Sequence, residues 1–139
     1  MIYEELNPIG NFDPWQPSKL LELKQKRLSE DLGQKLLFEN DTIKVWEIFL
    51  QPRERLGFRK INQDYSFVSM TDGLAVTRSS DARISLIRID KGDTGFIPYT
   101  NEDIVRDLEN IGEGPLFIHV MEFLPVVFTS ETNITTKFV

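Results

Sequence analysis

The chain contains one histidine and no cysteine. Without cysteine there is no disulfide, no thiolate metal site and no sulfur nucleophile. The histidine, His119, lies in "FIHVMEF", on the strand face that also carries Phe117, Met121 and Phe123. Imidazole can ligate a metal or act as a general base. A first-row metal needs further ligands, and the neighbouring carboxylate, Glu122, falls on the opposite face of the strand. A general base needs an orienting partner, and none is evident at this spacing. A hydrogen-bonded packing role suits His119 better. No Gly-rich phosphate loop, G-x-S-x-G elbow or H-E-x-x-H pair is present. Basic residues are scattered among acids, and the formal net charge is −6. Such a surface repels phosphate backbones, so nucleic acid is not an expected partner.

The elements that would hold these residues follow from period and punctuation. The 139 residues fit one domain, and 40% hydrophobic content with ten Phe is a globular composition. No run of about eighteen apolar residues exists, and the N-terminus lacks a signal-peptide pattern, so a soluble cytoplasmic protein without membrane contact is expected. Residues 1–17 are rich in Pro, Asn and Gly and read as an irregular arm. "SKLLELKQKRLSEDL" (18–32) has helical spacing of Leu21, Leu28 and Leu32, with Ser18 as N-cap and Gly33 as the stop. From there the period becomes two. "DTIKVWEIFL" (41–50) reads as a strand apolar on both faces and therefore covered on both sides. Strands are expected at 64–70, 74–79, 84–90, 94–98, 103–110 and 116–123, separated by turn signals such as "TDG" and "KGD". Seven or more short strands predict an all-β antiparallel sandwich or barrel. Residues 125–139 are expected to form an extended hydrophobic tail.

"LFENDTIKVWEIFLQPRERLGFRKINQDYSFVSMTDG" resembles the first half of a small single-domain cupin, and "KGDTGFIPYTNEDIVRDLENIGEGPLFIHVMEF" is similar to the second. The likeness covers residues 37–123. It implies a cupin-like jelly-roll β-barrel over 36–124, with residues 1–35 as an arm and helix packed on it. Cupins hold a divalent metal with three histidines and often one glutamate. The positions matched to those histidines are Arg59, Ile61 and Arg106 here, and the carboxylate position falls at Tyr65 or Ser66. Arginine has no lone pair to give a metal. No metal or other cofactor is therefore expected, and the usual warrant for cupin catalysis goes with it.

In such a fold positions 59, 61 and 106 point inward, and a buried guanidinium needs a partner. Asp64, Asp103 or Asp107 could neutralise Arg59 and Arg106 internally, the commoner outcome, or a small anionic molecule could be gripped by them. The expected ligand-binding residues are Arg59, Ile61, Tyr65, Arg106 and His119, with Tyr65 and Tyr99 at the barrel mouth. The leading functional expectation is a metal-free, non-catalytic protein that binds a small polar or anionic ligand. The alternatives are an assembly protein without ligand, or an enzyme with a displaced or metal-free site. A homodimer is expected, with the N-terminal arm or an edge strand in the contact.

Overall fold

The computed structural model describes residues 1–125. In chain order the elements are β1 (Ile2–Asn7), α1 (Pro17–Leu23), β2 (Lys35–Glu39), β3 (Ile43–Leu50), β4 (Arg55–Ile61), β5 (Asp64–Ser69), β6 (Gly73–Arg78), β7 (Ile84–Ile89), β8 (Thr94–Ile97), β9 (Ile104–Asn110) and β10 (Leu116–Phe123). They form two five-stranded sheets, ordered β1-β7-β6-β9-β4 and β2-β3-β10-β5-β8. All pairings are antiparallel. The chain crosses repeatedly from one sheet to the other. β4 pairs with β9 while β5, just after it, pairs with β10 and β8. The expected jelly roll is thus present as an open sandwich of two sheets rather than a closed barrel. Among the described residues no helix is long and apolar enough to cross a membrane.

Alternation places Trp46, Ile48 and Leu50 of β3 opposite Val120, Ile118 and Leu116 of β10. These six are buried and join Leu56, Ala75, Ile87 and Ile89 in the core. A carboxylate enters the same layer: Trp46 donates its indole N–H to Glu122 Oε1 at 2.8 Å, so the buried acid is not left unpaired. The other face of β3 is not covered as expected, because Phe49 is exposed. Phe38, Phe96 and Met121 are also exposed on that side of the second sheet. The register aligns Phe38 with Val45, Val45 with Met121, Met121 with Ser66 and Ser66 with Phe96, so the apolar face runs across all five strands.

The N-terminal third departs most from expectation. The irregular arm is a strand, β1, paired along β7. The helix ends at Leu23, and Pro17, not Ser18, sets its start, with Gln16 at the N-cap and no side-chain cap bond. Leu21 is 73% exposed, so this helix has no apolar stripe to bury along the predicted length. Instead the chain after Leu23 unwinds and runs beside β4. Ser29 makes a parallel bridge to Arg59 and accepts the Lys60 N–H at 2.8 Å, and Leu32 drops into the core. Tertiary pairing outcompetes a helix that would be marginal alone. Gly33 is therefore not a helix stop. A Cβ there would lie 2.7 Å from both Glu47 O and Trp46 Cβ, so the chain needs glycine to pass β3. Of the predicted tail, all beyond residue 125 lies outside the described residues.

Trp15 and Glu22 lie against the outer face of β4. The Trp15 ring stacks on Phe58 with centroids 6.0 Å apart and planes within 8°. The Trp15 indole N–H and the Asn7 amide both donate to Ala82 O, at 2.9 and 2.8 Å.

Candidate functional site

A β-bulge decides which side chains of β4 face inward. Leu56 is opposite Leu108 of β9, but the next paired residue, Arg59, is opposite Arg106. Gly57 and Phe58 together face the single residue Asp107, so β4 carries one extra residue. Without that extra residue, strict alternation from the inward Leu56 would send Arg59 and Ile61 outward. With it, Phe58 turns out to meet Trp15, and Arg59 and Ile61 turn in.

Between the sheets lies a cavity of about 130 Å³ bordered by Arg59, Ile61, Tyr65 and Arg106. Four of the five expected ligand-binding residues therefore meet at one place. The fifth, His119, does not. It lies on the outer face of β10, its ring edge-on to Phe117 at 4.9 Å, while Ile118 and Val120 of the same strand border the cavity. Ile61, Tyr65 and Arg106 also border a smaller outer hollow that includes Tyr99, which places them between the interior and the surface. Tyr99 itself donates to Asp103 at 2.8 Å, which raises its pKa above the ordinary phenol value.

None of the expected internal partners reaches the two arginines. Asp64 accepts the Tyr99 backbone N–H, and Asp103 accepts the Tyr99 hydroxyl and pairs with Lys60. Asp107, whose side chain is fully buried, is held by Arg55 Nε and Arg78 Nη1, each at 2.7 Å from Oδ2. Arg55 continues to Glu22 of α1 through two bonds of 2.8 and 2.9 Å, and Arg78 continues to Glu109 at 2.9 Å. This network satisfies its own charges. The Arg55 bonds hold the Glu22 carboxyl below its usual range.

Arg59 donates instead to backbone carbonyls, Nε to Gly57 O at 3.1 Å and Nη1 to Asp31 O. Burial pushes its pKa down to about 10, and the exposed Asp31 carboxylate only partly opposes that. Arg106 makes no ion pair among the described residues, and its Nε is buried with no acceptor among them. Burial raises the pKa of Tyr65 and of Tyr3, while the Arg106 guanidinium nearby pulls both the other way. Two like charges on directly opposed residues of neighbouring strands are destabilising. The cavity rim thus has surplus positive charge and an idle donor.

Tyr3 and Thr77 border the cavity without having been expected there, and Asp107, expected as a partner of its arginines, borders it with its carboxylate turned to Arg55 and Arg78. "IYEEL" at 2–6 does not alternate, and Pro- and Gly-rich residues follow it, so the sequence carries no period-two signal for β1.

The metal chemistry of a cupin does not fit these residues. The positions that would supply imidazole and carboxylate carry Arg59, Ile61, Tyr65 and Arg106, and two guanidinium groups repel a cation. Among the described residues no group of three or more His, Asp or Glu side chains converges to hold a metal ion.

No protein-family model matches the sequence, and no curated protein matches it. Solved structures do. A cupin domain from Bordetella pertussis Tohama I superposes with a TM-score of 0.59 at 18% identity, covering 73% of this chain and 99% of that one. An RmlC-like cupin with a double-stranded β-helix fold from Methanocaldococcus jannaschii gives 0.53 at 15% identity, over 72% and 86% of the two chains. A protein from Bacillus halodurans gives 0.53 at 17% identity, over 83% and 84%. The two-sheet topology and these likenesses define the class: the chain has the cupin fold. At such identities the likeness concerns the fold alone.

Proposed function

We propose that this chain is a non-catalytic cupin-fold protein that binds a small anion between its sheets through Arg59 and Arg106. One observation carries the reading: the two guanidinium groups are directly opposed across β4 and β9 at the rim of a cavity, and Arg106 Nε is buried without an acceptor. A carboxylate or phosphate placed there relieves the like-charge repulsion and accepts charge-assisted hydrogen bonds, each worth roughly 1.5–3 kcal/mol. A thermal-shift screen of small acids, sugar phosphates and neutral sugars tests it. Ligand at one hundred times its Kd stabilises by about 2.7 kcal/mol, a shift of several degrees for a domain of this size. Anions should stabilise the wild type selectively, and Arg59→Leu should lose the response. No response, or an equal response of both proteins to salt, overturns the reading.

A second reading, self-association, is favoured by the apolar outer face of the sheet that contains β3 and β10. Contiguous apolar patches of this kind are uncommon on monomers. The N-terminal arm, also expected in such a contact, is the edge strand β1, with one edge paired to β7 and with Ile2, Tyr3 and Leu6 exposed.

A further inference from the structure

Beyond the rim, the cavity has walls of a different character. Ile48, Ile118 and Val120 border it from one sheet, and Leu56, Ile87 and Ile89 from the other. The polar groups among them are already engaged. Thr77 Oγ1 donates to Asp107 O at 2.7 Å, and the Asp107 carboxylate is held by Arg55 and Arg78. A sugar or other polyhydroxylated body would leave its hydroxyls unpaired against these walls, which binding sites reject strongly. An apolar body would not. The polar donors are gathered on one side, at Arg59, Arg106, Tyr65 and Tyr3, so the site is polarised between a charged rim and a dry interior.

Resting on anion binding at this site, we infer that the ligand class is a small monocarboxylic acid with an apolar tail, its carboxylate at Arg59 and Arg106 and its tail between the sheets. Size sets the tail. Apolar cavities of roughly 150 Å³ take up benzene, so about 130 Å³ has room for a tail of roughly four to six carbons.

The test is calorimetric titration of the intact chain at fixed ionic strength with acetate, butyrate, hexanoate and octanoate, and with hexanamide as the neutral control. Affinity should rise about fourfold per methylene up to hexanoate, the increment expected for burying each CH₂, and should stop rising at octanoate. Hexanamide should bind at least tenfold more weakly than hexanoate. Ile118→Phe, which fills the interior, should erase the dependence on tail length. Because that variant risks the fold, the wild-type series decides the question by itself. Equal affinity for acetate, butyrate and hexanoate overturns the inference but leaves anion binding standing. Hexanamide binding as tightly as hexanoate, unaffected by Arg106→Gln, overturns the anion reading and the inference with it. Absence of binding by all five compounds overturns both.

Discussion

Two arginines on paired strands that point to opposite faces of one sheet behave as opposites. Arg55 faces the outer side of β4 and completes the Asp107 network. Replacing it with leucine leaves the buried Asp107 with one partner fewer and frees Glu22. Breaking such a pair by removing one member costs about 3 kcal/mol. Arg106 faces the cavity, opposes Arg59 and satisfies no carboxylate among the described residues. Arg106→Met keeps the unbranched stem, removes the repulsion and should stabilise the ligand-free protein by about 1 kcal/mol. Urea unfolding of both variants checks the contrast. If Arg106→Met proves as damaging as Arg55→Leu, the Arg106 head has a structural partner and the case for a ligand at the rim weakens. A variant that gains stability while losing the response to anions would separate binding from folding, a common trade at functional sites.

At the scale of elements, two contacts tie the N-terminal third to the sandwich. The first is Gly33, where the chain passes over β3. Gly33→Ala brings a methyl against backbone and Cβ atoms that have no room to move, at a cost of about 2–3 kcal/mol. Gly114→Ala is the control, since nothing lies within 4 Å of a Cβ there. Equal loss in the two variants would show that the close approach at Gly33 relaxes freely. The second tie is Glu22, which joins α1 to β4 through Arg55 and accepts the Phe58 N–H at 3.2 Å. Its carboxyl is held below the ordinary value of 4.5 in the fold, chiefly by the bonds from Arg55. In acid the unfolded chain therefore takes up this proton first. The contribution is complete above about pH 4.5 and is lost as the pH falls through the lowered folded-state pKa. The stability difference between wild type and Glu22→Gln should be constant from about pH 6 to 8 and shrink toward zero as the pH falls through the lowered folded-state pKa. A difference that stays constant into acid would mean that packing of α1, not the ion pair, holds the helix.

For the whole molecule the open question is what meets the apolar face of the second sheet. Phe49 and Phe117 contact edge-on at 5.6 Å, and Phe96 and Phe123 at 6.0 Å, so the aromatic residues already form clusters. A homodimer seated on this face should persist at micromolar concentration, since obligate interfaces commonly bury more than about 2,000 Å² in total. Multi-angle light scattering should report twice the chain mass, and Phe49→Lys together with Phe96→Glu should return a folded monomer. A wild-type monomer at micromolar concentration sinks the assembly reading without touching the proposed ligand site, whose cavity lies between the sheets of a single chain.

The sequence by itself determined the class of structure and the chemistry that is unavailable. Alternation in "IKVWEIFL" and "LFIHVMEF" gives β3 and β10 their inward and outward faces. The turns between strands are set by neighbouring residues, and no arrangement of side chains makes metal ligands of Arg59 and Arg106. These are local properties of residue type and spacing. Partner choice is not local. Whether 24–32 continues a helix depends on the free edge of β4 beside it. Which aspartate meets which arginine depends on an extra residue in β4 that alternation alone does not reveal. The bulge turns Arg59 inward to face Arg106, while Arg55, before it, stays outward with Asp107 and Glu22. Pairings between residues fifty positions apart exist only after the sheets form, so only the tertiary structure could decide that the expected internal neutralisation does not occur and that the rim keeps its charge.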